Sequence, residues 1–168
     1  NDDIELINPA TPWQHVRTVG EDIVATELVV PQGHTIRPID QGALLAAGIT
    51  EVEITARPLV TVIPTGSELI EPGSKVQPGQ IIEFNSRILA GYLSQWGAKV
   101  IVHPPVSDDP DLLEAALLGA AKNSVIIFSN AGASAGTKDF SRSVLASTGE
   151  IVVHGVAIKP GKPVILGL

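Results

Sequence analysis

From about residue 58 onward, the hydrophobic positions alternate between short continuous apolar runs and longer stretches with helical spacing. The continuous runs predict strands over residues 59–66, 99–106, 124–130, 150–158 and 163–168. Apolar side chains three to four positions apart predict helices over residues 85–98, 109–122 and 137–149. Because alternating strands and helices form βαβ units, the pattern predicts an α/β domain with a mostly parallel sheet that is covered on both faces.

The first 57 residues show a different pattern, in which short stretches rich in β-branched residues are separated by turn residues. These stretches predict short strands over residues 15–23, 26–36 and 51–58, with turns at Gly20 and Gly33. One short helix is predicted between them, over residues 38–48. We therefore divide the chain into a small β-rich segment, residues 1–57, and an α/β domain, residues 58–168.

Composition and charge exclude several classes of protein. The 168 residues include no cysteine, which excludes disulfides and cysteine-based metal sites and favours a cytoplasmic protein. No apolar run approaches the roughly 20 residues that a membrane span needs, so we expect no membrane partner. The net charge of −7 argues against nucleic acid as a partner.

Three loops at the predicted carboxyl ends of strands carry candidate binding chemistry. They are PTGSEL at 64–69, NAGASAG at 130–136 followed by Asp139, and KPGKP at 159–163. Ligands of open parallel sheets bind at this edge, and small residues let a ligand approach the backbone while amides at the next helix start bind an anion. If strand 150–158 lies beside strand 124–130, Lys159 and Lys162 share a crevice with Asp139.

Each of these features also has a purely structural interpretation. A glycine-rich loop can serve tight packing alone, Glu68 can be a solvated acid, and the two lysines can be surface charges. Arg17 can form a surface ion pair with Glu21 or Asp22. The four histidines show no metal-ligand spacing. The combination of an acid, a small-residue loop and a lysine pair at one sheet edge favours a binding site.

Five short motifs, in this order along the chain, resemble those of the molybdopterin molybdenumtransferase family, which includes MoeA and the corresponding domain of gephyrin. The motifs are RTVGEDI at 17–23, TGSEL at 65–69, EFN at 83–85, NAGASAGTKDF at 130–140 and KPGKP at 159–163. The resemblance implies that residues 58–168 form a three-layer α/β/α sandwich, the family's molybdopterin-binding domain. It implies that residues 1–57 are the tail of a β-rich domain that faces a partner subunit, and hence a homodimer.

The resemblance also implies a reaction and roles for residues. The reaction is insertion of molybdate into the dithiolene of adenylylated molybdopterin, with release of AMP and with a divalent cation such as Mg²⁺. Glu68, Asp139 and Asp22 are the implied catalytic residues, and Glu68 and Asp139 are also the implied metal ligands. The implied ligand-binding residues are Thr65, Gly66, Gly132, Ser134, Gly136, Lys159, Lys162 and Arg17.

The chain departs from the family pattern within these motifs. Ser67 replaces an aspartate, Glu83 and Phe84 replace an aspartate and a serine, and Asn130 and Ala131 replace a serine and a glycine. Serine at position 67 removes a possible ligand for a hard cation. The departures leave open a pterin- or nucleotide-binding domain without turnover, or an assembly domain. Family segments expected on both sides are missing, so we expect a central fragment that binds ligand without catalysis.

Overall fold

A computed structural model describes residues 3–5, 7–131 and 140–168, and it divides the chain into two compact units, residues 1–55 and 56–168. Four of the predicted site residues, Gly132, Ser134, Gly136 and Asp139, lie outside the described residues. No helix in the described part of the chain is long and apolar enough to cross a bilayer.

The first unit contains one helix, α1 (Pro38–Ala46), and no strand among its described residues. The expectation of short strands over residues 15–58 is therefore wrong for this part of the chain. A strand is stable only when a neighbouring strand pairs with its N–H and C=O groups. Here the backbone closes local turns instead, as where the N–H of Glu21 donates to the carbonyl of Thr18 at 3.2 Å.

Helix α1 begins at a buried carboxylate. Asp40, which is 8% exposed, accepts hydrogen bonds from the backbone N–H and the guanidinium of Arg37 at 2.8 and 2.9 Å. The Nε2 atom of His34 lies 2.8 Å from the same carboxylate. The guanidinium of Arg37, then its backbone N–H, then His34 hold the pKa of Asp40 well below its usual range. The start of the helix is thereby fixed to the segment that precedes it.

The second unit contains seven strands and three helices among its described residues. Numbered in chain order, they are β1 (Leu59–Thr65), β2 (Leu69–Ile70), β3 (Ile81–Ile82), α2 (Asn85–Gln95), β4 (Lys99–Val102), α3 (Pro110–Ala121), β5 (Ile126–Ala131), α4 (Phe140–Thr148), β6 (Ile151–His154) and β7 (Ile165–Gly167).

A three-stranded parallel sheet forms the centre of this unit. β1 lies in the middle and pairs in parallel with β4 on one edge and with β5 on the other. Val62 of β1 is in register with Val102 and with Phe128. Every residue of β1 after Leu59 is buried, as is typical of a parallel strand that is covered on both faces.

Helices cover the two faces of this sheet. Val62 packs with Leu93 of α2, whereas the next residue, Ile63, packs with Leu113 of α3 and Val144 of α4. Because successive side chains of a strand point to opposite faces, the two apolar clusters lie on opposite sides of the sheet. The predicted α/β class with a mostly parallel sheet is confirmed.

The last two strands form a separate antiparallel hairpin. β6 pairs with β7, and the N–H of Gly155 donates to the carbonyl of Val164 at 2.8 Å between them. We expected residues 150–158 to lie beside residues 124–130 in the main sheet, and this is wrong. The turn at Pro160–Gly161 reverses the chain shortly after β6. The backbone N–H and C=O groups of β6 therefore pair with β7.

Replacing Leu113 by alanine is expected to destabilise the second unit by about 2–5 kcal/mol, because the side chain is fully packed against the sheet and leaves a cavity. Leu118 on the same helix is the matched control, since it is 49% exposed whereas Leu113 is 1% exposed. Leu118→Ala should change the free energy of unfolding by roughly 0.5 kcal/mol or less. Urea unfolding followed by circular dichroism measures both, and equal losses would contradict the assigned packing of α3.

The stability of α1 should depend on pH through Asp40. Its pKa is lower in the folded chain than the value of about 3.9 in the unfolded chain. The unfolded state therefore takes up the proton first, and the stabilisation is complete above about pH 5 and is lost as the pH falls through the folded pKa. Asp40→Asn should flatten this dependence, and Glu53→Gln, at an exposed carboxylate, should not. The measurement is hydrogen-exchange protection of the α1 amides between pH 3 and pH 6, in the unchanged chain and in both variants. An equal pH dependence in the unchanged chain and in Asp40→Asn would contradict the role of Asp40.

Candidate functional site

The carboxyl end of β1 continues into a tight turn that is tied to both neighbouring strands. Thr65 is buried, and its Oγ1 donates a hydrogen bond to the carbonyl of Asn130 in β5 at 3.2 Å. The N–H of Gly66 donates to the carbonyl of Val106, which follows β4, at 2.9 Å. The start of this predicted loop is therefore fixed by contacts that cross the whole sheet.

The side chain of Glu68 folds back against Gly66. A Cβ atom at position 66 would lie 3.0 Å from Oε2 of Glu68 and 3.0 Å from Cγ of Leu69. Few real Cβ atoms come so close to a neighbour, and the backbone φ of +153° adds a further restriction. Glycine at this position is what allows the carboxylate of Glu68 to lie against the end of the central strand.

Two loops of this edge meet through Ser67 and Asp108. The N–H of Asp108 donates to Oγ of Ser67 at 2.9 Å, and the N–H of Ser67 donates to Oδ2 of Asp108 at 3.3 Å. Asp108 is absent from the predicted site residues. The sequence did contain a signal, because Asp108 follows a predicted strand at the same edge. The adjacent Asp109 is the helix cap, and its carboxylate accepts from the N–H of Asp111 at 2.9 Å.

Glu83, one of the departures from the family pattern, has a structural role. Its buried carboxylate accepts hydrogen bonds from the N–H of Ser86 at 2.7 Å and from the Ser86 hydroxyl, at the first turn of α2. Its backbone N–H donates to the carbonyl of Ile70 at 2.9 Å. Glu83 therefore joins the start of α2 to β2, the strand that directly follows Glu68.

Lys159 and Lys162 lie on the exposed turn between β6 and β7. The turn is held by a hydrogen bond from the N–H of Val156 to the carbonyl of Lys162, at 3.0 Å. Neither lysine forms an ion pair within the described residues. The crevice shared with Asp139 was predicted from a pairing of residues 150–158 with residues 124–130 that does not occur. Asp139 is not described, so the crevice itself stays a prediction.

Arg17 and Asp22 belong to the first unit and pair with each other. Nη2 of Arg17 lies 2.5 Å from Oδ2 of Asp22, and its Nε lies 3.6 Å from Oε1 of Glu21. These exposed residues line a shallow depression together with Thr18, Gly20, Ile23 and Ala46. The guanidinium is thus held by two carboxylates, as the ion-pair interpretation predicts, and a role in binding stays a prediction.

The elements on either side of the small-residue segment are described. β5 ends at Ala131 and α4 begins at Phe140. Gly132, Ser134, Gly136 and Asp139 therefore lie, in sequence, between the carboxyl end of β5 and the next described helix. Among the described residues, no group of three or more histidine, aspartate or glutamate side chains is arranged to hold a metal ion. Of the two predicted metal ligands only Glu68 is described, so the metal site stays a prediction.

Gly66→Ala is expected to destabilise the second unit by about 1–3 kcal/mol and to displace Glu68, because the added methyl group overlaps the Glu68 and Leu69 side chains. Gly73→Ala is the matched control. Gly73 also has a positive φ, of +91°, but no atom beyond the glycine and its two chain neighbours lies within 4 Å of the position that a methyl group would take there. Thermal unfolding and the NMR shifts of Glu68 measure the two effects. Indistinguishable variants would contradict the close approach of Glu68.

Comparison with known proteins agrees with this geometry. Residues 61–168 match the family described as "Probable molybdopterin binding domain", which covers the sheet and its carboxyl edge. Residues 1–48 match the family described as "MoeA N-terminal region (domain I and II)". The two matched segments follow the same order as the two compact units of the chain.

Individual relatives carry names from the same family. The chain is 35% identical to molybdopterin molybdenumtransferase 2 of Mycobacterium tuberculosis, over 96% of this chain and 42% of that protein. It is 33% identical to molybdopterin molybdenumtransferase of Haemophilus influenzae, over 93% of this chain and 39% of that protein. A crystal structure of a molybdopterin biosynthesis MoeA protein from Pyrococcus horikosii superposes with a TM-score of 0.80 at 35% identity, over 89% of this chain and 37% of that chain.

The chain thus spans about two fifths of the length of the curated relatives it matches. The family match covers well over half of its residues and includes β1 from Thr61 onward, the Thr65–Glu68 turn and Asp108. The chain belongs to the molybdopterin molybdenumtransferase family, and its three-stranded parallel sheet lies in the probable molybdopterin-binding domain of that family.

Proposed function

We propose that this chain supplies the pterin-binding part of a protein that inserts molybdate into the dithiolene of adenylylated molybdopterin and releases AMP. The observation that carries the proposal is the match of residues 61–168 to the probable molybdopterin binding domain. The proposal is supported by the turn at the carboxyl end of β1, which lies at the edge where open parallel sheets bind ligands. The names of the relatives support a role for this chain in molybdenum cofactor biosynthesis.

Each predicted residue receives a role in this proposal. Backbone amides of residues 132–136 and the hydroxyl of Ser134 bind a phosphate, because small residues let the ligand approach them. Thr65 and Gly66 hold the turn that presents Glu68. Lys159 and Lys162 supply positive charge to molybdate or phosphate. Arg17 and Asp22 act from the first unit.

A divalent cation has a physical reason to take part. Molybdate and the phosphate of the substrate are both anions, and bringing them together requires fixed donors or cations. Carboxylate oxygens are the ligands that Mg²⁺ prefers, so we propose that Glu68 and Asp139 hold this ion. Calorimetric titration with Mg²⁺ should show weaker binding to Glu68→Gln than to the unchanged chain, and equal binding would remove Glu68 from the metal site.

The first unit has a proposed place in a larger assembly. We propose that residues 1–57 are the tail of a β-rich domain and that residues 58–168 are the pterin-binding domain, supported by the match of residues 1–48 to the MoeA N-terminal region. A segment of this size buries too little apolar surface to be stable alone, which supports a homodimer. Light scattering at high concentration tests it, and a strict monomer would contradict the dimer for this chain.

The lack of cysteine supports a cytoplasmic location.

A second candidate function is pterin or nucleotide binding without turnover, as a binding or assembly domain. The observation that favours it is Ser67, which stands where the family pattern has an aspartate. A serine side chain has no carboxylate to offer a metal ion, and its hydroxyl and amide both form hydrogen bonds with Asp108. The two candidates differ in whether AMP is released.

The 168-residue chain is expected to bind AMP and adenylylated molybdopterin but to release no AMP with molybdate and Mg²⁺. Loss of even one fixed donor commonly costs roughly 10²–10³ in rate, and the proposed site draws on several parts of a longer protein. Calorimetry measures binding, and an assay against a protein-free background measures release. Release well above background would contradict the expected inactivity, whereas absence of binding to both ligands would contradict the proposed function.

Charge at the hairpin turn is tested separately. Lys159→Gln with Lys162→Gln should weaken AMP binding roughly tenfold, because charged hydrogen bonds to an anion are lost. The matched control is Lys75→Gln with Lys122→Gln, which changes the net charge equally at two other exposed lysines. If both pairs weaken binding equally, only long-range charge matters and the lysines do not contact the ligand.

A further inference from the structure

Helix α2 carries a row of apolar side chains on the side that faces away from the sheet. Leu89 and Leu93 pack against the apolar cluster of β1 and form the inner face of the helix. Four other large side chains follow at intervals of four residues, from one end of the helix to the other, and each is more than half exposed. We call this set the α2 stripe, and its members are Phe84, Ile88, Tyr92 and Trp96.

The α2 stripe is continuous, which is unusual for the outer face of a surface helix. That face is ordinarily polar, and exposed apolar patches larger than a few hundred Å² mark interaction sites. Residues four positions apart on a helix are neighbours, and the rings of Tyr92 and Trp96 stack with their centroids 6.0 Å apart. The exposed leucines of α3 form no such row, because Leu112 and Leu118 lie on different sides of that helix.

A glycine within α2 borders the stripe. Gly91 lies three positions after Ile88, on the same exposed side of the helix. Apart from the backbone of its own helix and its chain neighbours, no atom lies within 4 Å of the position that a Cβ atom would take there. Glycine weakens a helix interior relative to alanine, and packing within the chain does not require it here. Close approach of a second backbone is a physical reason for glycine at such a position.

We propose that two copies of this chain associate through the α2 stripe, with α2 of one copy crossing α2 of the other in antiparallel near Gly91. The inference rests on the proposed homodimer and names the contact that forms it, and it does not depend on ligand chemistry. Rows of side chains four residues apart interdigitate in the commonest class of helix packing. Because the same face is used by both copies, the interface is closed and stops at two.

The exposed area is sufficient for such a dimer. A large aromatic side chain buries about 150–250 Å² when it is fully covered. The half-exposed or more exposed side chains of the stripe therefore offer on the order of 500 Å² per copy, or roughly 1,000 Å² in total. Specific protein interfaces begin at a total of about this size.

The charges of α2 also suit a second copy of the same helix. Arg87 is the only charged residue of Asn85–Gln95, so no carboxylates of the two helices face each other, although the whole chain carries a net charge of −7. In an antiparallel crossing at Gly91, Arg87 of each copy lies opposite Gln95 of the other. The backbones of the two arginines are then about 12 Å apart along the helix axis, beyond the screening length of about 8 Å at physiological salt.

Sedimentation velocity over a range of protein concentrations tests the surface. Ile88→Lys with Tyr92→Lys should raise the dissociation constant of the dimer at least about thirtyfold, because two apolar anchors are lost and positive charges face each other. Leu112→Lys with Leu118→Lys is the matched control, since it changes the net charge equally at two leucines of similar exposure. It should change the constant by about twofold or less. A dimer that neither pair weakens, or that both weaken equally, overturns the α2 contact.

The crossing point is tested by disulfide formation. The chain has no cysteine, so one introduced cysteine reports on one position alone. Helices packed about 8–10 Å apart bring facing Cα atoms to about 3–5 Å, which overlaps the range that a disulfide spans. Gly91→Cys should form a disulfide-linked dimer on oxidation, whereas Gly119→Cys, at an exposed glycine of α3 with equally open surroundings, should not. Equal cross-linking of the two variants would overturn the crossing at Gly91.

The failure of the α2 contact and the failure of the homodimer give different results. If the unchanged chain is a strict monomer at high concentration, the homodimer and the α2 contact are both wrong. If the chain is a dimer that is insensitive to the α2 variants, only the α2 contact is wrong. The AMP titration tests the ligand site separately in either case.

Discussion

The second unit depends on one constraint at its central strand. β1 is buried on both faces and is paired with a strand on both edges. Its side chains can be buried only if helices cover each face, and its backbone N–H and C=O groups can be paired only if a strand lies on each side. The surrounding βα segments supply these neighbours. Val62 and Ile63, adjacent in sequence, therefore face two separate apolar clusters. The position of the central strand is fixed from four directions, and so is the point at which the chain leaves the core.

That point is where the candidate site begins. Thr65 is still buried, whereas Ser67 two residues later is exposed. Within this short distance the backbone is tied to β5 and to the segment after β4. A functional loop on so rigid a base needs little further support to keep its side chains in place. The two hydrogen bonds between Ser67 and Asp108 and the Glu83 carboxylate provide that support from the flanking segments.

Features with a strong local signal could be predicted from the sequence. The continuous apolar run of β1 and the apolar periodicity of α2 and α3 lead directly to the α/β architecture, and Asp109 with Pro110 marks the start of α3. Features that depend on a partner elsewhere in the chain could not be predicted in the same way. The stretches within residues 15–58 resemble strands, yet a strand forms only beside another strand. Similarly, the short turn at Pro160–Gly161 pairs β6 with β7, which apolar content alone does not reveal.

The candidate site shows the same division. Gly66 and Glu68 follow a buried strand, so their place at the carboxyl edge was predictable from order alone. Asp108 was missed because the strong capping signal of its neighbour Asp109 explained the local sequence completely. Its contact with Ser67 arises only when β1 and β4 lie side by side. Sequence order thus identifies which loops share an edge, and the packing of the strands decides which side chains in those loops meet.

The unequal pairing of the three parallel strands has a consequence for self-association. β4 and β5 each have β1 as a neighbour on one edge, and no second strand pairs with either of them among the described residues. On β5, Ile126 and Phe128 are also exposed, on the face that α2 covers only over β1 and β4. Unpaired backbone groups beside apolar side chains favour edge-to-edge addition of further strands. In such self-association the number of chains in the assembly would keep rising with protein concentration. A true subunit interface would instead give an assembly that stops at two copies.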